Sequence, residues 1–251
     1  MLEIRGLSKS FGAIQALSDV SVQVGKGRIH GIIGPNGSGK TTLFNCVTGL
    51  LKADTGTVSL DGQDITGMKP EVIARRGIRR TFQAGKLVPG MTVLENVMSG
   101  VNDSIASEAR DAALRLPFVR SRRETEIRER AMEALAMAGI GGSAERWAAD
   151  LVWTERQMVQ VARAMVGNPK VLLLDEPASG MGVREIERVE RLIHDIRQGG
   201  VTVVVVSHDV KMLMNLSDTV TVLNFGQKIA EGLPSEIQSN PRVLEAYLGA
   251  E

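Results

Sequence analysis

The chain has 251 residues, 43% of them hydrophobic, enough for a substantial buried core and too apolar for a disordered segment. Its 30 Lys and Arg nearly balance 29 Asp and Glu, a net charge of +1 that gives no electrostatic reason to expect nucleic acid as a partner. The one cysteine, Cys46, excludes an internal disulfide and reads as a small packed hydrophobe in a reducing compartment.

No early segment has the basic, apolar and small-residue order of a secretory signal. Short β-branched runs at 20–24, 29–33 and 58–60 read as strands. From 96 to 163 the composition turns to Ala, Glu and Arg with few strand formers, which predicts a helical subdomain set between sheet strands. Its dense mixed-charge run at 120–130 reads as a solvated helix face. The apolar runs 171–174 and 201–206 predict strands buried on both faces, which places the chain in the α/β class with a mixed or parallel sheet. They fall far short of the roughly 20 residues that span a bilayer, so work at a membrane is expected from its side. Between them Ile186, Val189, Ile193 and Ile196 fall three or four apart among charges, the pattern of an amphipathic surface helix over 184–197. A last strand-like run at 219–223 leads into Asn224-Phe225-Gly226-Gln227, a hairpin turn, and 235–248 reads as short helices.

Gly34-Pro35-Asn36-Gly37-Ser38-Gly39-Lys40-Thr41-Thr42 satisfies the phosphate-loop pattern, in the required place between a strand ending at Ile33 and a helix starting near Lys40. Glycines let successive backbone N–H groups turn inward, the helix N-terminus adds its positive end, and Lys40 supplies a point charge for the outer phosphates. Thr41 is placed to ligate magnesium. Asp175-Glu176 ends the apolar run at 171–174, at the sheet edge where such loops gather. Asp175 suits the metal, through water, and Glu176 suits the base that positions an attacking water. Ser207-His208-Asp209 ends the next run, where His208 would sense the terminal phosphate. The Gln83 amide, in Arg80-Thr81-Phe82-Gln83, is a candidate for binding the metal or the lytic water.

In order and spacing, the loop at 34–42, Gln83, the segment 151–157, Asp175-Glu176 and His208 resemble the ATPase subunits of ABC transporters, over essentially the whole chain. Within that family, three stretches are most similar to the ATPases of branched-chain amino acid importers: Arg79-Arg80-Thr81-Phe82-Gln83, Met91-Thr92-Val93-Leu94-Glu95-Asn96-Val97, and the close from Asn240-Pro241 to Ala246-Tyr247-Leu248-Gly249. The resemblance implies a P-loop ABC ATPase fold with a mixed-sheet core and an antiparallel β portion. It implies one domain over 1–251, its nucleotide-binding core at 1–95 and 166–251 and a helical subdomain inserted at 96–165. ATP and Mg2+ are the implied ligands, with Lys40, Gln83, Glu176 and His208 catalytic, Thr41, Gln83 and Asp175 at the metal, and Phe11 stacked on the adenine ring. The segment around Gln83 would face a membrane-spanning partner. Members of the family close as head-to-tail dimers, each ATP held between one subunit's phosphate loop and the other's signature. The implied partners are therefore a second ATPase subunit and two permease subunits, with a solute-binding protein reached indirectly, at the cytoplasmic face of the cell membrane. Export of lipid or lipopolysaccharide, and a nucleotide-binding regulator with little turnover, are the competing readings of the same residues.

The family signature ordinarily reads Leu-Ser-Gly-Gly-Gln; here the segment is Leu151-Val152-Trp153-Thr154-Glu155-Arg156-Gln157. Val152 removes the serine hydroxyl that would bond a γ-phosphate across the dimer. Trp153 and Thr154 replace glycines that let the backbone approach it, so their side chains are expected to crowd the nucleotide. The loop Pro177-Ala178-Ser179-Gly180-Met181-Gly182 has glycine where the family usually has Asp or Asn. A signature serves the partner's nucleotide, so these losses leave this chain's own site intact. The expectation is pairing with a different ATPase subunit, one site competent and one impaired; the other reading is a signature that tolerates the substitutions.

Overall fold

The computed structural model describes residues 1–81, 87–101 and 117–248. It opens with a hairpin, β1 (Leu2–Phe11) and β2 (Ile14–Val24), followed by β3 (Ile29–Ile33) and helix α1 (Lys40–Val47). Next come β4 (Thr55–Leu60), β5 (Gln63–Asp64), α2 (Pro70–Arg75) and β6 (Ile78–Arg80), then the helices α3 (Val93–Met98), α4 (Pro117–Met137) and α5 (Trp153–Met165). The remainder alternates through β7 (Val171–Asp175), α6 (Val183–Gln198), β8 (Thr202–Val206) and α7 (Val210–Leu216). It closes with the expected hairpin, β9 (Thr219–Asn224) and β10 (Gln227–Gly232), and the short helices α8 (Pro234–Gln238) and α9 (Pro241–Leu248).

One sheet is antiparallel, in the order β2-β1-β4-β5; the other has six strands in the order β10-β9-β3-β8-β7-β6, parallel except at β10. Every residue of β3, β7 and β8 is buried, as unbroken apolar runs require. Because side chains alternate along a strand, Leu172, Leu174, Val203 and Val205 enter one apolar layer, while Val171, Leu173, Val204 and Val206 enter the other. The first layer takes in Val97, Leu135, Val159, Ile193 and Leu213 from the helices; the second takes in Leu43 and Phe44 of α1 and the inner face of the antiparallel sheet. Each fully buried Leu, Ile or Val contributes roughly 1.5–3 kcal/mol. Helix α6 buries Val189, Leu192, Ile193 and Ile196, the stripe that the spacing predicts. Helices α3, α4 and α5 pack on one another, and among the described residues no helix is long and apolar enough to cross a membrane.

Strand β1 is not among the strands expected from the sequence. It buries Leu2, Ile4 and Leu7, and Gly6, at φ 58°, accompanies a register shift that changes the phase of the alternation between Ile4 and Leu7.

The register levels the strand ends that matter. Ile32 faces Val206 across β3 and β8, and Asp175 faces Val206 across β7 and β8. The loops leaving β3, β7 and β8 therefore open at one edge of the sheet, the crevice in which ligands of such sheets collect.

Candidate functional site

The loop 34–42 carries the chain from β3 into α1. Two of its glycines are dictated by close approach: a Cβ on Gly34 (φ 155°) would lie 2.1 Å from the Leu223 carbonyl oxygen, and one on Gly39 (φ 102°) 2.5 Å from that of Ala16. Gly39 caps α1 without a side-chain hydrogen bond, so no side chain claims the first N–H groups of that helix, the arrangement that receives a phosphate. The hairpin turn braces the loop from outside, the Gly226 N–H donating to the Ser38 carbonyl at 3.1 Å. Lys40 curls over its own loop, Nζ donating to the carbonyls of Gly34 at 2.7 Å and Pro35 at 2.9 Å. Burial lowers its pKa, and the carboxylates of Glu176 and Asp175 oppose that shift. An anion entering the loop would meet an ammonium whose partners among the described residues are neutral oxygens, those two carbonyls and the Ser38 hydroxyl at 3.4 Å.

Glu176 sits at φ 52°, a left-handed backbone that costs a residue with a side chain on the order of 1 kcal/mol or more. Its N–H is fixed to the Val206 carbonyl at 2.9 Å, and the turn aims its carboxylate at the end of β8. There Glu176 Oε2 accepts from the His208 N–H at 3.2 Å and lies 2.7 Å from His208 Nδ1. The Glu176 side chain is 11% exposed and the His208 ring 65% exposed. A carboxylate in a nearly dry position is thus oriented by a ring that reaches solvent, the makings of a base with a proton outlet. Beside it, Asp175 Oδ2 accepts from Arg80 Nη2 at 2.7 Å, and Arg80 Nη1 donates to Asn45 Oδ1 at 2.6 Å.

Val152 caps α5 but has no acceptor, so Glu155 takes over the cap: its Oε2 accepts from the Val152 N–H at 3.1 Å, and its Oε1 pairs with Arg146 at 2.7 Å. Burial would raise the Glu155 carboxyl; the hydrogen bonds from Arg146 and Val152 outweigh it and hold the group below its usual value. Trp153 does not stand free. Its indole Nε1 donates to the Ser179 carbonyl at 3.0 Å, tying the signature turn to the loop 177–182 of the same chain.

Phe11 ends β1 with half its surface exposed and Lys9 Nζ 5.7 Å from its ring centroid, an aromatic face open to stacking. Thr41 is exposed on the first turn of α1 and Thr42 is half-buried; Asn36 and Gly37 are exposed at the loop's tip. Gln83 lies outside the described residues. Cys46 is buried, and burial pushes its thiol up to about 11, away from reactivity.

Two side chains enter the site without being singled out for it in the sequence. Arg80 looks like an ordinary charge at a strand end until the register reveals what it faces. Tyr247 of α9 brings its hydroxyl against the Gly34 backbone, where burial pushes its pKa up to about 12. Helix α9 and the turn at Phe225 wall a cavity of about 590 Å³ beside Pro35, Asn36 and Ser38.

The family described as ABC transporter matches residues 17–179, and the family described as branched-chain amino acid ATP-binding cassette transporter matches residues 227–251. The chain is 37% identical to the high-affinity branched-chain amino acid transport ATP-binding protein LivG of Salmonella typhimurium, over 99% of this chain and 98% of LivG. It is also 37% identical to BraF of Pseudomonas aeruginosa, with the same coverage of both. A crystal structure of the ADP conformation of an ATP-binding cassette of an ABC transporter is similar with a TM-score of 0.86 at 33% identity, over 99% of this chain and 98% of that one. A dimeric cassette in a post-hydrolysis state with ADP and Pi is similar with a TM-score of 0.76 at 27% identity, over 93% and 99%. The chain belongs to the ABC transporter ATP-binding family, and its C-terminal segment is that of the branched-chain amino acid branch.

Proposed function

We propose that this chain hydrolyses ATP at the cytoplasmic face of the membrane and, through two permease subunits, energises uptake of branched-chain or related amino acids delivered by a solute-binding protein. The observation that carries the hydrolytic part is the Glu176–His208 pair, 2.7 Å apart at the sheet edge that also holds the phosphate loop. The solute follows from the likeness to LivG and BraF along the whole chain.

In this reading the N–H groups of residues 34–42 hold the phosphates and Phe11 stacks on the adenine. Lys40 leaves the Gly34 and Pro35 carbonyls for the phosphate oxygens. Glu176 orients and deprotonates the attacking water; His208 holds the Glu176 carboxylate and relays the proton outward. Gln83 completes the site from the segment that meets the permease. Thr41 and Asp175 are hard oxygen donors of the kind Mg2+ prefers and would hold it with Gln83. Mg2+, when bound, neutralises charge on the phosphate oxygens. The segment 96–165 carries the signature that serves the opposite subunit's nucleotide.

Val152, Trp153 and Thr154 support a companion of different sequence. A homodimer would place this altered turn over both nucleotides, whereas a heterodimer places it over one only.

Uptake tests the reading. In proteoliposomes holding the permeases, both ATPase subunits and ATP on the ATPase side, labelled leucine should accumulate in a solute-binding-protein-dependent way. Glu176→Gln should cut the rate at least about 100-fold, the usual worth of a positioned base. Uptake unaffected by Glu176→Gln, or binding of ATP with no turnover in any combination, would contradict it.

A further inference from the structure

Asp175 is 6% exposed. A carboxylate so placed needs a partner, because an unpaired buried charge costs several kcal/mol. Its partner is Arg80, and the pair is dry, with side-chain exposures of 5% and 7%. The guanidinium is itself held on two further sides: Nη1 donates to Asn45 Oδ1 at 2.6 Å, and the plane lies over the Phe44 ring at 5.4 Å from the centroid. Asn45 and Phe44 belong to α1, the helix that begins at Lys40, so Arg80 bridges the phosphate-loop helix to the end of β7.

The backbone fixes this bridge in place. Arg80 is in register with Leu173 across the parallel strands, the Thr81 N–H donates to the Leu173 carbonyl at 3.0 Å, and the Asp175 N–H donates to Thr81 Oγ1 at 3.3 Å. Only Nη2 reaches the carboxylate, and only at Oδ2; Asp175 Oδ1 carries no hydrogen bond among the described residues. Arg80 therefore orients the carboxylate through one oxygen and leaves the other to a second cation.

We infer that Arg80 is a positioning residue that sets how tightly the nucleotide site takes up Mg2+, by holding Asp175 and opposing the incoming ion with its own charge. The inference rests on the proposed role of Asp175 at the metal. A fixed positive charge within a few ångströms of a divalent site weakens it by an amount that grows steeply as water is excluded. Removing that charge while keeping the stem over Phe44 should tighten Mg2+ uptake.

Binding of ADP to the purified chain, followed by calorimetry across a Mg2+ titration, reads this without turnover. Arg80→Met should lower the Mg2+ midpoint by about tenfold, and Arg80→Lys, which keeps the charge, should leave it within about threefold of the unsubstituted chain. Arg80→Gln, neutral but able to hydrogen-bond Asn45 and Asp175, should shift the midpoint in the same direction; it decides the matter if Arg80→Met does not fold. A folded Arg80→Met or Arg80→Gln with an unchanged midpoint overturns the inference and leaves Arg80 a purely structural partner. Asp175→Asn separates the two claims: if it leaves the Mg2+ dependence of ADP binding as it was, the metal role of Asp175 fails whatever Arg80 does.

Discussion

Glu176 combines a left-handed backbone with a carboxylate shared between a ring and an N–H, and both follow from the sharp exit of the chain from β7. Its place and that of His208 could be read from the sequence. An apolar run that ends in two acids delivers carboxylates to the sheet edge where a phosphate loop opens, and the next run, ending in Ser-His-Asp, delivers a ring to the same edge. Arg80 could not, since its partner lies 95 residues away and only the β6–β7 register brings them together. His30 is a second residue whose state is set by the fold. It is 2% exposed in β3, its Nε2 lies 2.8 Å from Thr221 Oγ1, and burial lowers its pKa from 6.5 to about 4. The unfolded chain takes up this proton below its ordinary value of 6.5 while the folded chain does not until about 4, so the contribution is intact above 6.5 and lost as pH falls between those values. Urea unfolding at pH 7.5 and pH 5 should show a loss of about 2 kcal/mol that His30→Gln abolishes. An equal loss in both chains would assign it to other groups.

At the scale of elements, strands buried on both faces announce themselves as unbroken apolar runs, and α6 by apolar residues three or four apart. Strand β1 escapes because Gly6 breaks its alternation, and a local pattern cannot show that a bulge will restore it one residue later. The altered signature was visible as composition, but its consequence was not. Trp153 stands in for a glycine and yet is occupied in its own chain, on the Ser179 carbonyl, so the signature turn and the loop 177–182 are tied together. Trp153→Phe keeps the ring bulk and removes the donor. It should cost about 1 kcal/mol of stability, the worth of one such hydrogen bond, and speed amide hydrogen exchange across 177–182. Unchanged exchange there would mean the tie does not restrain the loop.

For the whole molecule, the two apolar layers, the level strand ends and the crevice between them were implied by the alternation of strands and helices around one phosphate loop. In the proposed pairing a second subunit covers the signature, a contact that the sequence of one chain does not contain. The relatives on which the assignment rests run the length of the chain, and one similar cassette is a dimer. We propose that this chain has an intact hydrolytic site that works when paired with a companion of different signature. The most direct test is ATP hydrolysis by the purified chain, alone and mixed with its companion ATPase, each with and without Glu176→Gln in this chain. Little turnover is expected alone, strong turnover in the mixture and a loss of at least about 100-fold with Glu176→Gln; vigorous hydrolysis by this chain as a homodimer, or a mixture indifferent to Glu176→Gln, would rule out that pairing.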